Sequence, residues 1–183
     1  MQIEKEEKSI LGQNEDIEKE VKISVLIKVK DMIYFLFYHN YTHLSGWIGV
    51  GISMAALIML IITYKDNPFA TNFLLIILAS LFTVFQPINL CLKAAQQVKL
   101  NPMFKEHLNY TLNNEGIGIS QGDDSMVISW EEVRKVIEGK NHITIYVSAV
   151  RAYILPKEYY EEQYQQVKEV IKENTGERVC KWK

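Results

Sequence analysis

Two stretches without a charged residue, separated by only four residues, constrain this chain more than any other feature. Residues 44–64 contain no Asp, Glu, Lys or Arg, and residues 69–92 are likewise uncharged. A helix over the first stretch would be about 31 Å long, close to the thickness of the hydrocarbon core of a bilayer. Because the linker is so short, the two helices must run antiparallel. The sequence therefore predicts a transmembrane hairpin with spans at residues 44–64 and 69–92.

Two alternatives to membrane spans are a pair of helices buried in a soluble core and a cleaved signal peptide. The rest of the 183-residue chain is too small to enclose two wholly apolar helices. The first stretch begins at residue 44, is longer than the apolar core of a signal peptide and follows a charged segment, so cleavage is not expected. A lipid bilayer is thus the expected surrounding of both helices.

Basic residues near the span ends predict the orientation of the hairpin. Lys93, Lys99 and Lys105 follow the second span, whereas the linker carries Lys65 beside Asp66. Basic flanks favour the cytoplasmic side of a membrane. With two spans, both termini are expected in the cytoplasm, and the protein is expected in the cell membrane.

Small residues recur every four positions along one face of the first span, at Ser45, Gly49 and Ser53. This spacing lets helix backbones approach closely. The stripe predicts packing within the hairpin, and dimerisation through the same face is the alternative.

Polar residues are few in the second span, and Gln86 and Asn89 lie near its cytoplasmic end. They indicate either a small polar pocket or, as we favour, solvation by water and headgroups at the interface. Neither span contains an acidic or basic residue, which argues against an ion path.

The segment before the first span changes character twice. Residues 1–20 are rich in charge and predict a disordered tail. Apolar residues alternate from Val21 to Val29 and predict a strand. Aromatic residues between Tyr34 and Tyr41 then predict a short interfacial helix, so residues 21–43 are expected to form a strand and this helix.

His39 and His43 have a spacing that can hold a metal on one helix face. No third ligand lies near them in the sequence, so we expect ordinary interfacial histidines.

Residues 93–183 read as short strands followed by one helix. Turn residues separate six predicted strands, at residues 107–112, 117–120, 126–130, 133–138, 142–148 and 151–155. An amphipathic helix is expected from Lys157 to about Asn174. This order is typical of a pleckstrin-homology-like domain, which we place at residues 93–183.

The expected fold is therefore an α+β membrane protein, with a two-helix transmembrane hairpin and a small antiparallel-β, pleckstrin-homology-like domain that ends in an amphipathic helix. An antiparallel sheet has an exposed edge. The strand at residues 21–29 is expected to cover that edge, which makes the hairpin an insertion within one cytoplasmic domain.

Sequence motifs for catalysis and cofactor binding are absent. The chain has no Gly-rich phosphate loop, nucleophile elbow or zinc-protease motif, and its two cysteines are too few for a four-cysteine zinc site. We therefore expect no catalytic residue, no metal and no cofactor. The net charge of −2 excludes a strongly basic nucleic-acid-binding protein.

Three basic residues of the carboxyl-terminal segment, Arg134, Lys135 and Arg151, form the candidate interaction surface. Gathered on one face, they would bind a lipid headgroup or an acidic peptide. Scattered surface charge is the alternative.

The carboxyl-terminal sequence resembles the YcxB-like proteins, small membrane proteins of Gram-positive bacteria. The residues that carry the resemblance are Tyr110, Leu112, Gly116-Ile117, Ile128-Ser129-Trp130, Val133, Lys135-Val136, Ile143, Ile145–Ser148 and Ala152–Lys157. The resemblance implies a membrane protein with a cytoplasmic pleckstrin-like domain. It implies no established activity, so no functional residue is carried over.

Three hypotheses on function follow. The first is a non-enzymatic module that presents the domain at the cytoplasmic face for contact with protein or lipid. The alternative is an accessory or regulatory subunit of a larger membrane complex that acts through its transmembrane helices, and a homo-oligomer is a further possible partner. A small membrane enzyme is the third and least favoured.

Overall fold

The computed structural model of the protein describes residues 20–42, 44–176 and 180–182. The chain folds into two compact units. The helical unit consists of residues 27–105, and the strand unit consists of the residues up to Leu26 together with those from Glu106 onward. The fold is α+β, as predicted. Apart from Glu20, the predicted tail at residues 1–20 lies outside the described residues.

The helical unit is built from long helices joined by short links. In chain order these are α1 (Val29–Thr42), α2 (Leu44–Thr63), α3 (Phe69–Ser80), a π-helical segment (Leu81–Phe85) and α4 (Gln86–Leu100). Helix α2 packs against α3, and α1 packs against α4.

An antiparallel hairpin is formed by α2 and α3. Ala56 of α2 meets Leu75 and Ala79 of α3 in a small apolar core. At the linker, Asn72 Nδ2 donates to the carbonyl oxygen of Tyr64 over 2.8 Å, which satisfies one carbonyl at the end of α2. The predicted positions of the two apolar helices are therefore confirmed.

The second apolar helix extends beyond the predicted span. The span was predicted at residues 69–92, and helical structure continues without a break from Phe69 to Leu100. This helix and residues 46–63 of α2 are both long and apolar enough to cross a membrane. The helix ends at Asn101, whose side chain accepts a hydrogen bond from the Met103 amide.

The strand unit contains two four-stranded sheets. The first is an antiparallel meander of β1 (Val21–Val25), β2 (Leu108–Leu112), β3 (Ile117–Gln121) and β4 (Asp124–Ile128). The second has the order β7-β6-β5-β8, with β5 (Lys135–Glu138), β6 (His142–Tyr146), β7 (Ala152–Pro156) and β8 (Cys180–Lys181). Only the pairing between β5 and β8 is parallel within the described residues.

Strand β1 joins the sheet whose other strands follow the helices, as the sequence indicated. Val21 pairs with Leu112 and Val25 with Leu108. The strand is shorter than the predicted 21–29, because Asp31 accepts a hydrogen bond from the Lys28 amide and so begins α1. Val29 therefore lies in a helix.

The carboxyl-terminal helix also differs from its prediction. Lys157–Tyr159 is a single 3-10 turn, and the helix proper, α5, is Tyr164–Thr175. Tyr160 leaves the helical conformation because its hydroxyl donates back to the Leu155 carbonyl and its ring is buried. Helix α5 buries Val167, Val170 and Ile171.

Candidate functional site

The three basic residues singled out in the sequence lie at one end of the second sheet. The Arg134 amide donates to the Tyr146 carbonyl, and the Val147 amide donates to the Arg151 carbonyl. Arg134 and Arg151 therefore lie in the two segments that flank Val147, and both are exposed. Lys135 is the first residue of β5, where it pairs with Tyr146 and is partly exposed.

The Lys135 side chain contacts an aromatic ring of the neighbouring strand. Its ammonium lies 5.8 Å from the centroid of the Tyr146 ring. Partial burial lowers the pKa of Lys135, and the nearby Lys181 lowers it further. All three residues thus lie at the same end of the sheet, where Lys135 contacts the Tyr146 ring.

A buried charge cluster lies at the end of β5, where the sequence analysis placed no site. Glu138 is 4% exposed. Its carboxylate accepts hydrogen bonds from the Lys157 ammonium (2.5 Å), the Lys168 ammonium (3.2 Å) and the Tyr164 hydroxyl. The two lysines compensate a carboxylate that would otherwise be very costly to bury.

The cluster ties helix α5 to the second sheet. Lys157 follows the last residue of β7, whereas Tyr164 and Lys168 lie one turn apart on α5. Burial lowers the pKa of Lys168, but its hydrogen bonds to Glu138 and Tyr164 outweigh burial and hold the pKa above the ordinary value. The cluster therefore holds α5 against the second sheet. The one sequence signal for it was the Pro156-Lys157 ending.

Two tryptophans of the strand unit also have structural contacts. Trp130 is buried, and its indole Nε1 donates to the Asn113 carbonyl over 2.8 Å, which anchors the turn between β2 and β3. The Lys168 ammonium lies 4.9 Å from the Trp182 ring.

The small-residue stripe of α2 contacts the π-helical segment. A Cβ atom placed on Gly49 would lie 2.4 Å from the Phe82 ring, so this ring packs directly on the Gly49 backbone. Ser53 is fully buried. Ser45 belongs to α2, and its side chain lies outside the described part of the structure.

The Ser53 hydroxyl inserts into the opposite helix. It donates to the Leu78 carbonyl (2.9 Å) and accepts from the Phe82 amide (3.3 Å). Those two backbone groups are partners in a regular α-helix. The insertion coincides with the π-helical segment, whose end is marked by a bond from the Gln86 amide to the Leu81 carbonyl.

A pocket of about 510 Å³ opens on the helical unit where α1 meets the beginning of α4. Its polar lining comes from Asn40 of α1 and from Gln86, Asn89 and Lys93 of α4. The amide nitrogen of Asn40 is buried and makes no hydrogen bond within residues 20–42, 44–176 and 180–182. Gln86 and Asn89, for which the sequence analysis weighed a polar pocket against plain solvation, thus line a pocket of mixed polarity.

The remaining apolar lining of this pocket lies mainly on the second long helix, at Leu81, Phe85, Ile88, Leu90 and Leu92. Four of these five residues are more than two-fifths exposed. One side of the pocket is thus continuous with the apolar outer surface of the helical unit.

Histidine and carboxylate groups do not gather into a metal centre in the part of the chain that the structure describes. His39 lies on α1, where its ring stacks on Phe35. His43 lies outside the described residues. Cys91 and Cys180 are free and half-buried.

Fold and sites together define a class of protein: a two-sheet domain with a carboxyl-terminal helix, interrupted after its first strand by an apolar helical insertion. Sequence comparison then shows which family the chain is similar to. The profile of the family described as YcxB-like protein matches residues 112–171. The match runs from the end of β2 into α5 and includes Trp130 and the Glu138 cluster.

A relative in Bacillus subtilis (strain 168), named Uncharacterized protein YcxB, is 32% identical over 119 residues. The aligned segment covers 64% of this chain and 64% of the relative, slightly less than two thirds of its length. No solved structure matches the chain. Residues 112–171 of this chain are therefore similar to the YcxB-like family.

Proposed function

We propose that this protein is a non-enzymatic integral membrane protein that crosses the cell membrane twice. Its strand unit acts as a pleckstrin-homology-like domain at the cytoplasmic face, for contact with protein or lipid. The observation that carries the proposal is the exposure of large apolar side chains along both long helices. Ile61, Ile62 and Phe69 are 71%, 73% and 82% exposed, respectively.

Burial distinguishes this arrangement from the core of a soluble protein. Of the apolar window in α2, 22% is buried, and of the window in the second helix only 6%. Helices that are hydrophobic all round are otherwise found enclosed in a core. Exposure of so much contiguous apolar surface to water is unfavourable, whereas lipid accommodates it.

The order of elements supports the proposed type of domain. Four antiparallel strands, β1–β4, precede three antiparallel strands, β5–β7, and the amphipathic helix α5 closes the unit. This is the order expected from the sequence. Strand β8 is an addition to it.

Pairing of β1 with β2 supports an even number of crossings. The two strands flank the helical unit in sequence and are hydrogen-bonded neighbours, with Val25 opposite Leu108. Both flanks must therefore lie on one side of the bilayer. Lys93, Lys99 and Lys105 favour the cytoplasm as that side.

The proposed contact surface is the pair Arg134 and Arg151. These residues sit at the same end of the second sheet, close to the exposed Val150. Two guanidinium groups beside an apolar side chain suit an acidic peptide or a phosphate headgroup.

The accessory-subunit alternative has less support. It needs the small-residue stripe to be available to a partner helix, yet Phe82 packs on Gly49 and the Ser53 hydroxyl bonds to Leu78 and Phe82. The stripe is used within the hairpin.

Membrane topology is tested with two single-cysteine variants in a chain lacking Cys91 and Cys180. Asp66→Cys places a thiol in the linker, and Asp123→Cys places one in the β3–β4 turn; both positions are exposed. We expect a membrane-impermeant maleimide to label residue 66 in intact cells and residue 123 only after permeabilisation. Labelling of residue 123 in intact cells would contradict the proposed orientation, and release of the protein by alkaline carbonate would contradict insertion.

The contact surface is tested by crosslinking in native membranes. We expect the double variant Arg134→Gln with Arg151→Gln to lose most of its crosslinked partner or lipid. Lys140→Gln, which removes an exposed charge in the β5–β6 turn, is the matched control and should retain it. Equal loss in both variants would assign the effect to general charge.

A further inference from the structure

We propose that the pocket in the helical unit binds one anionic phospholipid. The phosphate would lie at Lys93 and Asn40, and the acyl chains would follow the apolar side of the pocket. This inference rests on the proposed function, because it requires the helices to lie in a bilayer.

The lining of the pocket is divided into a polar row and an apolar row. Gln86, Asn89 and Lys93 follow one another at intervals of three and four residues, which places them on one face of α4. Ile88 and Leu92, four residues apart, form the adjacent apolar row. A phospholipid has the same division between headgroup and chains, and about 510 Å³ accommodates a headgroup with the first part of its chains.

The charge of the lining favours an anion. Lys93 is the only charged residue among the described residues that line the pocket, and no carboxylate opposes it. The other polar groups are carboxamides, which can donate to phosphate oxygens. A headgroup with net negative charge is therefore preferred to a zwitterionic headgroup.

Asn40 provides a second, independent observation. Its Nδ2 atom is buried and has no hydrogen-bond acceptor among the residues that the structure describes. A buried donor without an acceptor is unfavourable, and most such groups in proteins have a partner. A phosphate oxygen in the pocket would supply that acceptor.

The depth of the pocket along the helix agrees with a headgroup. Residues 69–92 are uncharged, and Lys93 is the first charged residue after them. An ammonium at that position lies at the level of the phosphates once the uncharged stretch fills the hydrocarbon core.

The test uses the full-length protein reconstituted in phosphatidylcholine vesicles. Spin-labelled phosphatidylglycerol or spin-labelled phosphatidylcholine is added in trace amount, and the motionally restricted fraction is measured by electron paramagnetic resonance. We expect the wild-type protein to prefer phosphatidylglycerol several-fold. Lys93→Gln should lower this preference about fivefold.

The matched control is Lys99→Gln, which removes the same charge from the same helix at a residue that does not line the pocket. It should keep the wild-type preference. Equal association of both lipids with the wild-type protein, or an equal loss in the two variants, would overturn the lipid site. Displacement of the labelled lipid by millimolar glycerol 3-phosphate would also overturn it, because the site would then bind a soluble anion.

Asn40→Leu separates binding from folding. It removes the buried unpartnered donor, so the thermal midpoint in pure phosphatidylcholine should not fall below that of the wild type, while the preference for phosphatidylglycerol decreases at least twofold. An unchanged preference would remove Asn40 from the site. Carbonate extraction of the same vesicles keeps the two proposals apart: release of the protein contradicts membrane insertion, whereas retention without lipid preference contradicts only the pocket.

Discussion

The two units of this protein differ in whether they bury or expose the same apolar residue types. In the strand unit, Ile143 and Ile145 are fully buried, whereas Ile61 and Ile62 of the helical unit are more than two-thirds exposed. The hydrogen-bond partners of buried polar groups also differ between the two units. Ser53 and Asn72 pair with backbone atoms of a neighbouring helix, but Glu138 pairs with side chains. The proposed membrane insertion accounts for this difference, with water around the strand unit and lipid around the helices.

The largest effect is expected when one isoleucine of the strand unit and one of the helical unit are replaced and compared. Ile145→Ala removes a fully buried side chain and should destabilise the strand unit by about 2–5 kcal/mol. Ile61→Ala removes an exposed one and should change stability by less than about 0.5 kcal/mol in a bilayer. Denaturant unfolding of the reconstituted protein measures both. A large effect of Ile61→Ala would show that this face is packed against protein.

Glu138→Gln tests the buried charge cluster and should cost about 2 kcal/mol. The effect is smaller than for a fully enclosed pair, because the side chains of Lys157 and Lys168 are 21% and 26% exposed and can turn toward water. Glu132→Gln, at an exposed position of the neighbouring 3-10 turn, is the control and should be close to neutral. Equal stability of the two variants would mean that the cluster adds nothing to the fold.

Ser53→Ala tests the polar contact within the hairpin. Loss of its two hydrogen bonds to α3 and the π-helical segment should destabilise the hairpin by about 1 kcal/mol. Ser80→Ala is matched to it, since the Ser80 hydroxyl donates to the Ile77 carbonyl of its own helix. Steric trapping or thermal unfolding in bilayers compares them. If Ser80→Ala costs as much, the inserted hydroxyl has no special role.

Removal of a buried phenol from the strand unit should have the smallest effect on stability near neutral pH. Burial raises the pKa of Tyr110 above its ordinary value of 10, and Tyr153 raises it further. A raised folded-state pKa stabilises the fold fully below pH 10, and this stabilisation is lost as the pH rises above 10. Tyr110→Phe should therefore reduce the loss of near-ultraviolet circular dichroism between pH 10 and 12. Tyr64→Phe, at an exposed position of the helical unit, should leave it unchanged.

Local pattern was enough to predict much of the fold. Uncharged residues located the hairpin, and turn residues such as Gly122 located the strands of the meander. The turn that was predicted at Gly122 is present. Gly122 has a positive φ of 57°, which glycine adopts without strain. Alternation predicted β1 but ran too far, because a single carboxylate at Asp31 begins a helix within the alternating pattern.

Features that depend on distant residues were missed for a physical reason. Glu138 reads as an exposed charge at a strand end, and only Lys157 and Lys168 make its burial possible. Strand β8 has two residues and too little pattern to recognise. The π-helical segment depends on Ser53, which lies 29 positions from the amide it accepts from.

Strand β1 also has a consequence for biosynthesis. Ser24 bonds to Asn109, 85 positions later, so the first sheet cannot close until the whole helical insertion has been made. At the usual rate of translation, this delay is roughly 4 to 17 s. During that time β1 has an open edge, and Lys22 on its exposed row opposes aggregation. In the proposed topology, a failed second crossing would leave β1 and β2 in different compartments. Completion of the sheet would then report that the nascent chain has been inserted correctly.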